Sequence, residues 1–402
     1  MQTSPDKPRV LLGVTGGIAA YKAADLASRL VKQGCELRVV MTEAAKRFVG
    51  PVTFAALSGN PVPGDWFDGN QEAAISHIDL ARWAQVVVVA PATANFIAKA
   101  ALGLADDLLS TLLLATDAPL LIAPAMNPHM YEHPTVGANL DTMAQRGASI
   151  VGPAAGPTAC GEQGPGRMVE PELIVEQVMD LISQRDLEGV PILVSAGPTR
   201  EHLDPVRFLS NPSSGRMGIE VARMARRRGA KVTLVLGPTH LEPPFGVETI
   251  RVTSAQDMAQ AINSRAQEQL VVIKTAAVSD FRPQDCAPHK IKKGATSEVC
   301  NLVPNPDILA GLGQNKGGLI LVGFAAETRD VLTYAEAKLK AKNLDLMVAN
   351  DVAATDSGFA VDTNRVHLLT PDGEVETLPL MSKQEVALRL LDRVARLLGN
   401  RD

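Results

Sequence analysis

Residues 85–95 read QVVVVAPATAN, and the run from Val86 to Ala90 offers no polar position. A strand with one wet face alternates apolar and polar residues, so a strand without that alternation must be covered on both faces. The same character recurs in RVLLGVTGG (9–17), ELRVVMT (36–42) and PLLIAPAMN (119–127), with ASIVG (148–152) closing the series. Helical spacing fills the intervals, over residues 18–34, in ADDLLSTLLLAT (105–116) and near 139–146. Strands that alternate with helices build βαβ units, so the first part of the chain is expected to be α/β, a doubly wound parallel sheet.

Around LISQRDLEGVP (181–191) the apolar run gives way to charge and then to Gly-Val-Pro, which places a domain boundary at Gly189 and two domains at 1–189 and 190–402. A second α/β series follows in ILVSAGPTRE (192–201), AKVTLVLG (230–237), LVVIKTAAVSD (270–280), LILVGFAAE (319–327) and LDLMVAND (344–351). RVHLLTPDGEVETLPL (365–380) carries two β-rich runs about Pro-Asp-Gly, the residues of a hairpin turn. A Rossmann-like α/β domain with a terminal β-hairpin is expected there.

At 402 residues the chain has enough material for two cores. Aromatic residues make up 3%, too few for the stacking platforms that hold single-stranded nucleic acid, and a formal charge of -5 supplies no general polyanion surface. Cys35, Cys160, Cys286 and Cys300 lie far apart with no C-x-x-C pair, against a zinc site or a disulfide framework. No apolar run approaches the ~20 residues of a membrane span. A reducing cytoplasm is the expected compartment.

Two strand-end loops in the first half are built to meet a ligand. GVTGG (13–17) follows a strand and opens a helix, so exposed N–H groups, the helix dipole and the Thr15 hydroxyl are placed to hold a phosphate beside Gly13 and Gly16. The loop lacks both the G-x-G-x-x-G and the Walker spacing, which favours a mononucleotide phosphate over a pyrophosphate. PATAN (91–95), with Pro91, Ala92 and Thr93, occupies the corresponding edge of the next strand, and Thr42 ends ELRVVMT. His77 lies in ISHIDLARWA, Asn127 in APAMNPHMY, and Cys160 in the glycine-rich TACGEQGPGRM (158–168).

Those last three segments, in order, resemble the homo-oligomeric flavin-containing cysteine decarboxylases, which carry a His, a P-x-M-N-x-x-M run and a Cys-bearing flap on a flavodoxin-like fold. The resemblance implies that FMN oxidises a substrate thiol to a thioaldehyde, an electron sink that lets the adjacent carboxylate leave as carbon dioxide. It gives His77 a part in the oxidative half, Asn127 the substrate carboxylate or amide, and Cys160 the proton returned to the enethiol. FMN is then held by Gly13, Thr15, Gly16, Thr42, Pro91, Ala92 and Thr93. Two positions depart from the family pattern: Tyr131 stands where Trp is common, and Asp106 where Asn is usual.

In the second half, GPTREHLDPVRFLSNPSSGRMG (197–218), AAVSDFRP (276–283), KIKK (290–293), NPDIL (305–309), GFAAET (323–328) and NDV (350–352) look like phosphopantothenate cysteine ligase. With the first-half match this is the domain order of the bifunctional bacterial coenzyme A biosynthesis enzymes. The resemblance implies that CTP converts the carboxylate of 4'-phosphopantothenate to an acyl cytidylate, which the cysteine amine then attacks. Lys290 offsets phosphate charge, Asn211 donates to the acyl cytidylate, and Arg207 helps hold it. Asp280, Asn305, Pro306, Asp307, Ile308, Phe324, Lys338 and Lys342 line the CTP pocket, with Mg2+ on the phosphates. Trimeric decarboxylase units and paired ligase domains are implied as well. Two other readings stay open on the sequence: a flavin decarboxylase of peptide cysteines fused to an unrelated nucleotide-binding domain, and a noncatalytic regulatory subunit.

Overall fold

The computed structural model describes residues 7–63, 77–157, 161–292, 299–327, 329–351 and 363–399. The chain divides into two compact units, Met1–Ser183 and Gln184–Asp402.

The first unit carries β1 (Arg9–Val14), β2 (Glu36–Met41), β3 (Val86–Ala92), β4 (Leu120–Pro124) and β5 (Ser149–Ile150), in the order β2-β1-β3-β4-β5. Every pairing is parallel. Successive side chains point to opposite faces, and the valines of β3 show the consequence. Val86 and Val88 join one core with Leu26, Leu30, Ile174 and Val178, while Val87 and Val89 join the other with Leu80, Ile97, Leu109 and Leu140. All four valines are fully buried, as the uninterrupted apolar run requires. The chain leaves β1 toward β2 and returns on its other side to form β3. The strand order therefore reverses between β1 and β3, and a crevice opens at their carboxyl ends. A two-stranded ribbon, β6 (Ala154–Pro157) and β7 (Gln163–Arg167), follows.

The second unit begins earlier than the sequence indicated. Leu187 is fully buried in its core, the Leu187 and Gly189 amides donate to the carbonyls of Arg228 (3.0 Å) and Gly229 (2.9 Å), and Asp186 pairs with Arg228. The charged stretch that looked like a linker is the clasp that fixes the first strand of this unit. The boundary thus falls after Ser183, six residues before Gly189.

Here β8 (Pro191–Ala196) is followed by the small pair β9 (Arg200–His202) and β10 (Phe208–Ser210), then β11 (Lys231–Leu236), β12 (Glu248–Arg251) and β13 (Val271–Lys274). A second small pair, β14 (Phe281–Pro283) and β15 (Leu302–Pro304), precedes β16 (Ile320–Glu327) and β17 (Leu346–Asp351). The chain then forms β18 (Thr363–Asn364), β19 (Val366–Leu369), β20 (Val375–Thr377) and β21 (Met381–Ser382). The main sheet runs β12-β11-β8-β13-β16-β17-β19-β20. Its first six strands are parallel, and β19 and β20 add the expected hairpin in antiparallel register. One face packs on helices Arg216–Arg227 and Lys383–Gly399 through Ile219, Val221, Val386 and Leu390. The other packs on Ala255–Arg265, Ile308–Gln314 and Val331–Ala341 through Met258, Leu309 and Leu339. Among the described residues no helix is long and apolar enough to cross a membrane.

Candidate functional site

A cavity of about 830 Å³ occupies the crevice between β1 and β3, within the range of cofactor pockets, ~300–1,000 Å³. Thr15, Gly16, Thr42, Thr93 and Asn127, expected at the site from the sequence, all line it. Its lining is mostly apolar, with Ile18, Phe96, Met126 and Met168 among the contributors. The N-terminus of helix Ala20–Lys32 opens into it with no side-chain cap and no acid in its first turn, leaving backbone N–H groups and a positive dipole end for an anion. A Cβ on Gly16 would sit 2.3 Å from Ala44 Cβ, so only glycine lets the loop lie against the Thr42–Ala44 turn. An apolar slot beside an uncapped helix N-terminus fits a flavin with its phosphate.

Other expected contributors lie behind the wall. Gly13 packs against Leu109, where a Cβ would approach to 2.6 Å, and the Ala92 carbonyl accepts from Ala125 N–H (3.0 Å). Thr15 corrects the sequence reading. Its hydroxyl donates to Pro91 O (2.7 Å) and accepts from Thr93 N–H (3.1 Å), so its one proton is committed to joining the two strand ends rather than to a phosphate. Thr42 and Thr93 each cap a short helix, through Ala45 N–H and Phe96 N–H.

Asn127 caps Pro128–Tyr131 through His129 N–H (2.9 Å), and its Nδ2 donates to the Glu162 carboxylate. The β7 strand is held against this turn by Met126 N–H donating to Gly166 O (2.9 Å). Gly166 has φ +156°, and a Cβ there would lie 2.3 Å from Met126 O, so the approach needs glycine. His77 opens helix His77–Trp83 and does not line this cavity. Cys160 lies outside the described residues. Tyr131 packs on the core below β3, and Asp106 pairs with Lys99 at 2.7 Å, a contact that holds its carboxyl below the usual range. Lys22 and Lys99, which the sequence reading passed over, both line the cavity; their only signal was a position one or two turns past a strand-end loop.

In the second unit the residues expected around a nucleotide lie toward the carboxyl edge of the sheet. Asn305 N–H donates to Asp280 O (2.8 Å), and Asn305 Nδ2 donates to Ser279 O (2.9 Å). Asp307 caps Ile308–Gln314 and pairs with Lys342 at 2.8 Å; burial would raise its pKa, but that lysine keeps it below the usual range. Lys338 pairs with Glu327 at 2.6 Å. Ile308 is 4% exposed with its side chain in the core, which leaves its backbone for any ligand. Pro306 precedes this cap.

Arg207 is clamped by fully buried Asp204, whose carboxylate accepts from the amides of Val206 and Arg207 (2.8 Å each), from Arg207 Nε (2.9 Å) and from Ile291 N–H (3.2 Å). Burial would raise the Asp204 pKa, but these donors hold it well below the carboxylate range. The guanidinium also donates to Ile291 O (2.6 Å), which brings the loop bearing exposed Lys290 beside Arg207. Asn211 Nδ2 donates to Ala277 O (3.1 Å) and Val278 O (3.2 Å). Its donors are therefore spent on the loop after β13, against the expected donation to an acyl cytidylate.

Lys274 is a residue the sequence did not single out, because a lysine ending an apolar strand reads as the point where the strand meets water. It shares a face with Val272, toward Ile308–Gln314 and Val331–Ala341. Burial pushes its ammonium down to about 8, with repulsion from Lys342 opposed by Asp307 and Asp280. Among the described residues no group of three His, Cys, Asp or Glu side chains is placed to cage a metal.

The chain matches two family models, Flavoprotein over residues 1–183 and DNA/pantothenate metabolism flavoprotein C-terminal domain over 187–398. It is 47% identical to the coenzyme A biosynthesis bifunctional protein CoaBC of Vibrio parahaemolyticus, over 99% of this chain and 100% of that one. Identity to the CoaBC protein of Bacillus subtilis is 49%, over 96% of this chain and 97% of that one. A solved C-terminal domain of a CoaBC protein is 45% identical and covers 54% of this chain and 100% of its own, with a TM-score of 0.47. The chain belongs to the family of bifunctional coenzyme A biosynthesis proteins, a flavoprotein decarboxylase unit followed by a ligase unit.

Proposed function

We propose that the second unit joins cysteine to 4'-phosphopantothenate with CTP and Mg2+, and that the first unit decarboxylates the product to 4'-phosphopantetheine with FMN. The observation that carries this reading is the cavity at the β1/β3 reversal, where residues from four separate segments meet beside an uncapped helix N-terminus. FMN held there supplies reversible two-electron chemistry at the thiol-bearing carbon. The chain's own residues do the rest. Thr15 pins the two strand ends, Gly16 to Ala19 present backbone N–H groups to the phosphate, and Asn127 Nδ2 meets the substrate carboxylate in exchange for Glu162. Cys160 returns a proton to the enethiol. His77, which does not line its own chain's cavity, serves the oxidative half in a homo-oligomer whose cavities lie near subunit interfaces.

In the second unit the carboxylate oxygen attacks the α-phosphorus of CTP and displaces pyrophosphate. The cysteine amine then attacks the acyl carbon and releases CMP. Lys338, Lys342 and Lys290 balance phosphate charge, Arg207 holds the acyl cytidylate, and Asn211 acts by positioning the loop at Ala277 and Val278. Mg2+, carried in with CTP, would supply further charge neutralisation at the phosphates. The protein works in the cytoplasm.

The test is the purified protein itself. It should be yellow, release FMN on denaturation, and show a flavin band that bleaches without oxygen when phosphopantothenoylcysteine is added. A colourless protein that binds a partner and evolves no carbon dioxide overturns the reading in favour of a regulatory subunit.

A further inference from the structure

Two acceptors lay claim to one donor at Asn127. Its side-chain oxygen accepts from His129 N–H at 2.9 Å, which fixes the amide: the oxygen caps helix Pro128–Tyr131, and Nδ2 is left for a partner outside it. That partner is a carboxylate oxygen of Glu162, 35 residues along the chain. Glu162 immediately precedes β7, and β7 is docked on the Asn127 turn at two further points. Met126 N–H donates to Gly166 O at 2.9 Å, and Gly164 lies so close to Pro128 that a Cβ there would come within 2.9 Å of its ring. The ribbon therefore delivers the Glu162 carboxylate to Asn127 on a held strand.

Pro157, Gly166 and Arg167 line the cavity together with Asn127, so both strands of the ribbon form part of its wall. Glu162 is exposed and outside that lining, and it reaches Asn127 from the rim. An amide nitrogen has two hydrogens, but two carboxylates on it would stand only about 5 Å apart at ordinary hydrogen-bond lengths. Like charges that close disfavour both being ionised unless a cation joins them. The cations that line the cavity are already engaged: Lys22 and Arg167 pair with Glu170, and Lys99 pairs with Asp106 and Asp107. A ligand carboxylate that comes to Asn127 must therefore displace Glu162 rather than join it.

We propose that Glu162 is an internal stand-in for the substrate carboxylate: it holds Asn127 until a carboxylate-bearing ligand enters, gives way to it, and returns once carbon dioxide has left. Glu162 thereby sets the affinity of the first unit for carboxylate-bearing ligands and leaves carboxylate-free thiols untouched. Loss of carbon dioxide removes the acceptor from Nδ2 in mid-reaction, and the returning side chain supplies another. This rests on the decarboxylase reading above, which brings the substrate carboxylate to Asn127, and it gives that site a built-in competitor.

Ligand binding to the intact, FMN-loaded protein tests it, with the flavin absorbance as readout. Phosphopantothenoylserine carries the carboxylate and lacks the thiol, so it binds without reacting; 4'-phosphopantetheine carries the thiol and lacks the carboxylate. Glu162→Ala should tighten Kd for phosphopantothenoylserine about tenfold, the low end of what a charged hydrogen bond contributes because Glu162 is exposed, and leave Kd for 4'-phosphopantetheine within twofold. Glu162→Gln, which keeps the hydrogen bond without the charge, should fall between. Weaker or unchanged binding of phosphopantothenoylserine to Glu162→Ala, or equal tightening of both ligands, overturns the assignment. Asn127→Asp probes the reading beneath it, since it keeps the capping oxygen and removes the donor, and it should weaken phosphopantothenoylserine about tenfold or more. If that variant binds phosphopantothenoylserine as the unaltered protein does, the role of Asn127 in the decarboxylase reading fails; if it binds more weakly while Glu162→Ala changes nothing, the stand-in alone fails.

Discussion

Replacing Thr15 with valine keeps the shape of the side chain and removes the oxygen that joins β1 to β3. Thr15 is 1% exposed, so no water takes its place. Pro91 O keeps a second donor in Thr15 N–H at 3.3 Å, so the loss falls chiefly on Thr93 N–H, which gave its bond to the hydroxyl at 3.1 Å. An orphaned buried donor costs about 1–3 kcal/mol, and the added methyl recovers roughly 0.8 kcal/mol, leaving about 0.2–2 kcal/mol of destabilisation. For a unit of this size that lowers Tm by up to about 8 °C. The assay is calorimetry of the flavin-free protein, following the transition of the first unit. Thr15→Ser, which keeps the hydroxyl, should restore most of the stability. If instead the flavin-free transition of Thr15→Val is unmoved while flavin affinity drops, the hydroxyl serves the cofactor and the pin described above is wrong.

Three further outcomes follow from the same geometry. Gly166→Ala forces a Cβ toward Met126 O and should cut decarboxylation about tenfold or more while ligation continues; unimpaired carbon dioxide release would show that the β7 contact does not set the Asn127 turn. Asp204→Asn should free the Arg207 guanidinium and raise KM for 4'-phosphopantothenate about tenfold, and an unchanged KM would remove Arg207 from substrate binding. Lys274, depressed from 10.5 to about 8, binds fewer protons folded than unfolded between those values, so the stability of the second unit rises with pH across that window and its penalty, about 3 kcal/mol, is fully present below pH 8. Lys274→Met should therefore stabilise the nucleotide-free protein at pH 7 and lose that advantage by pH 10, as read from denaturant midpoints; equal stability at both pH values would count against the burial of a charged amine.

The architecture was legible because it follows from patterning. Val86–Val89 could not be a surface strand, and a series of such strands separated by helices leaves few arrangements other than a doubly wound sheet. Thr42, Thr93 and Asn127 were found for a related reason, since each stands where a strand gives way to a helix, and helix caps at strand ends are where such sheets bind ligands. What the sequence hid were the partners. Nothing local says that the Thr15 hydroxyl reaches Pro91, or that both Asn211 acceptors lie 66 and 67 residues away. Lys274 carries no local signal either, because its lowered pKa is set by desolvation and by Lys342, Asp307 and Asp280, which lie on elements away from its own strand. The boundary was misplaced for a similar reason: Asp186 and Glu188 look like linker charge until Arg228 arrives to pair with Asp186.

One reaction tests the two-unit account most directly. Carboxyl-18O 4'-phosphopantothenate, cysteine labelled with 13C at its carboxylate, CTP and Mg2+ are mixed anaerobically with the intact protein, and the products are read by mass spectrometry. Activation as an acyl cytidylate in the second unit, followed by loss of the cysteine carboxylate in the first, puts 18O on CMP and releases 13C carbon dioxide. Label on inorganic phosphate with CDP as the nucleotide product, or 18O-labelled CMP with no labelled carbon dioxide, would contradict it.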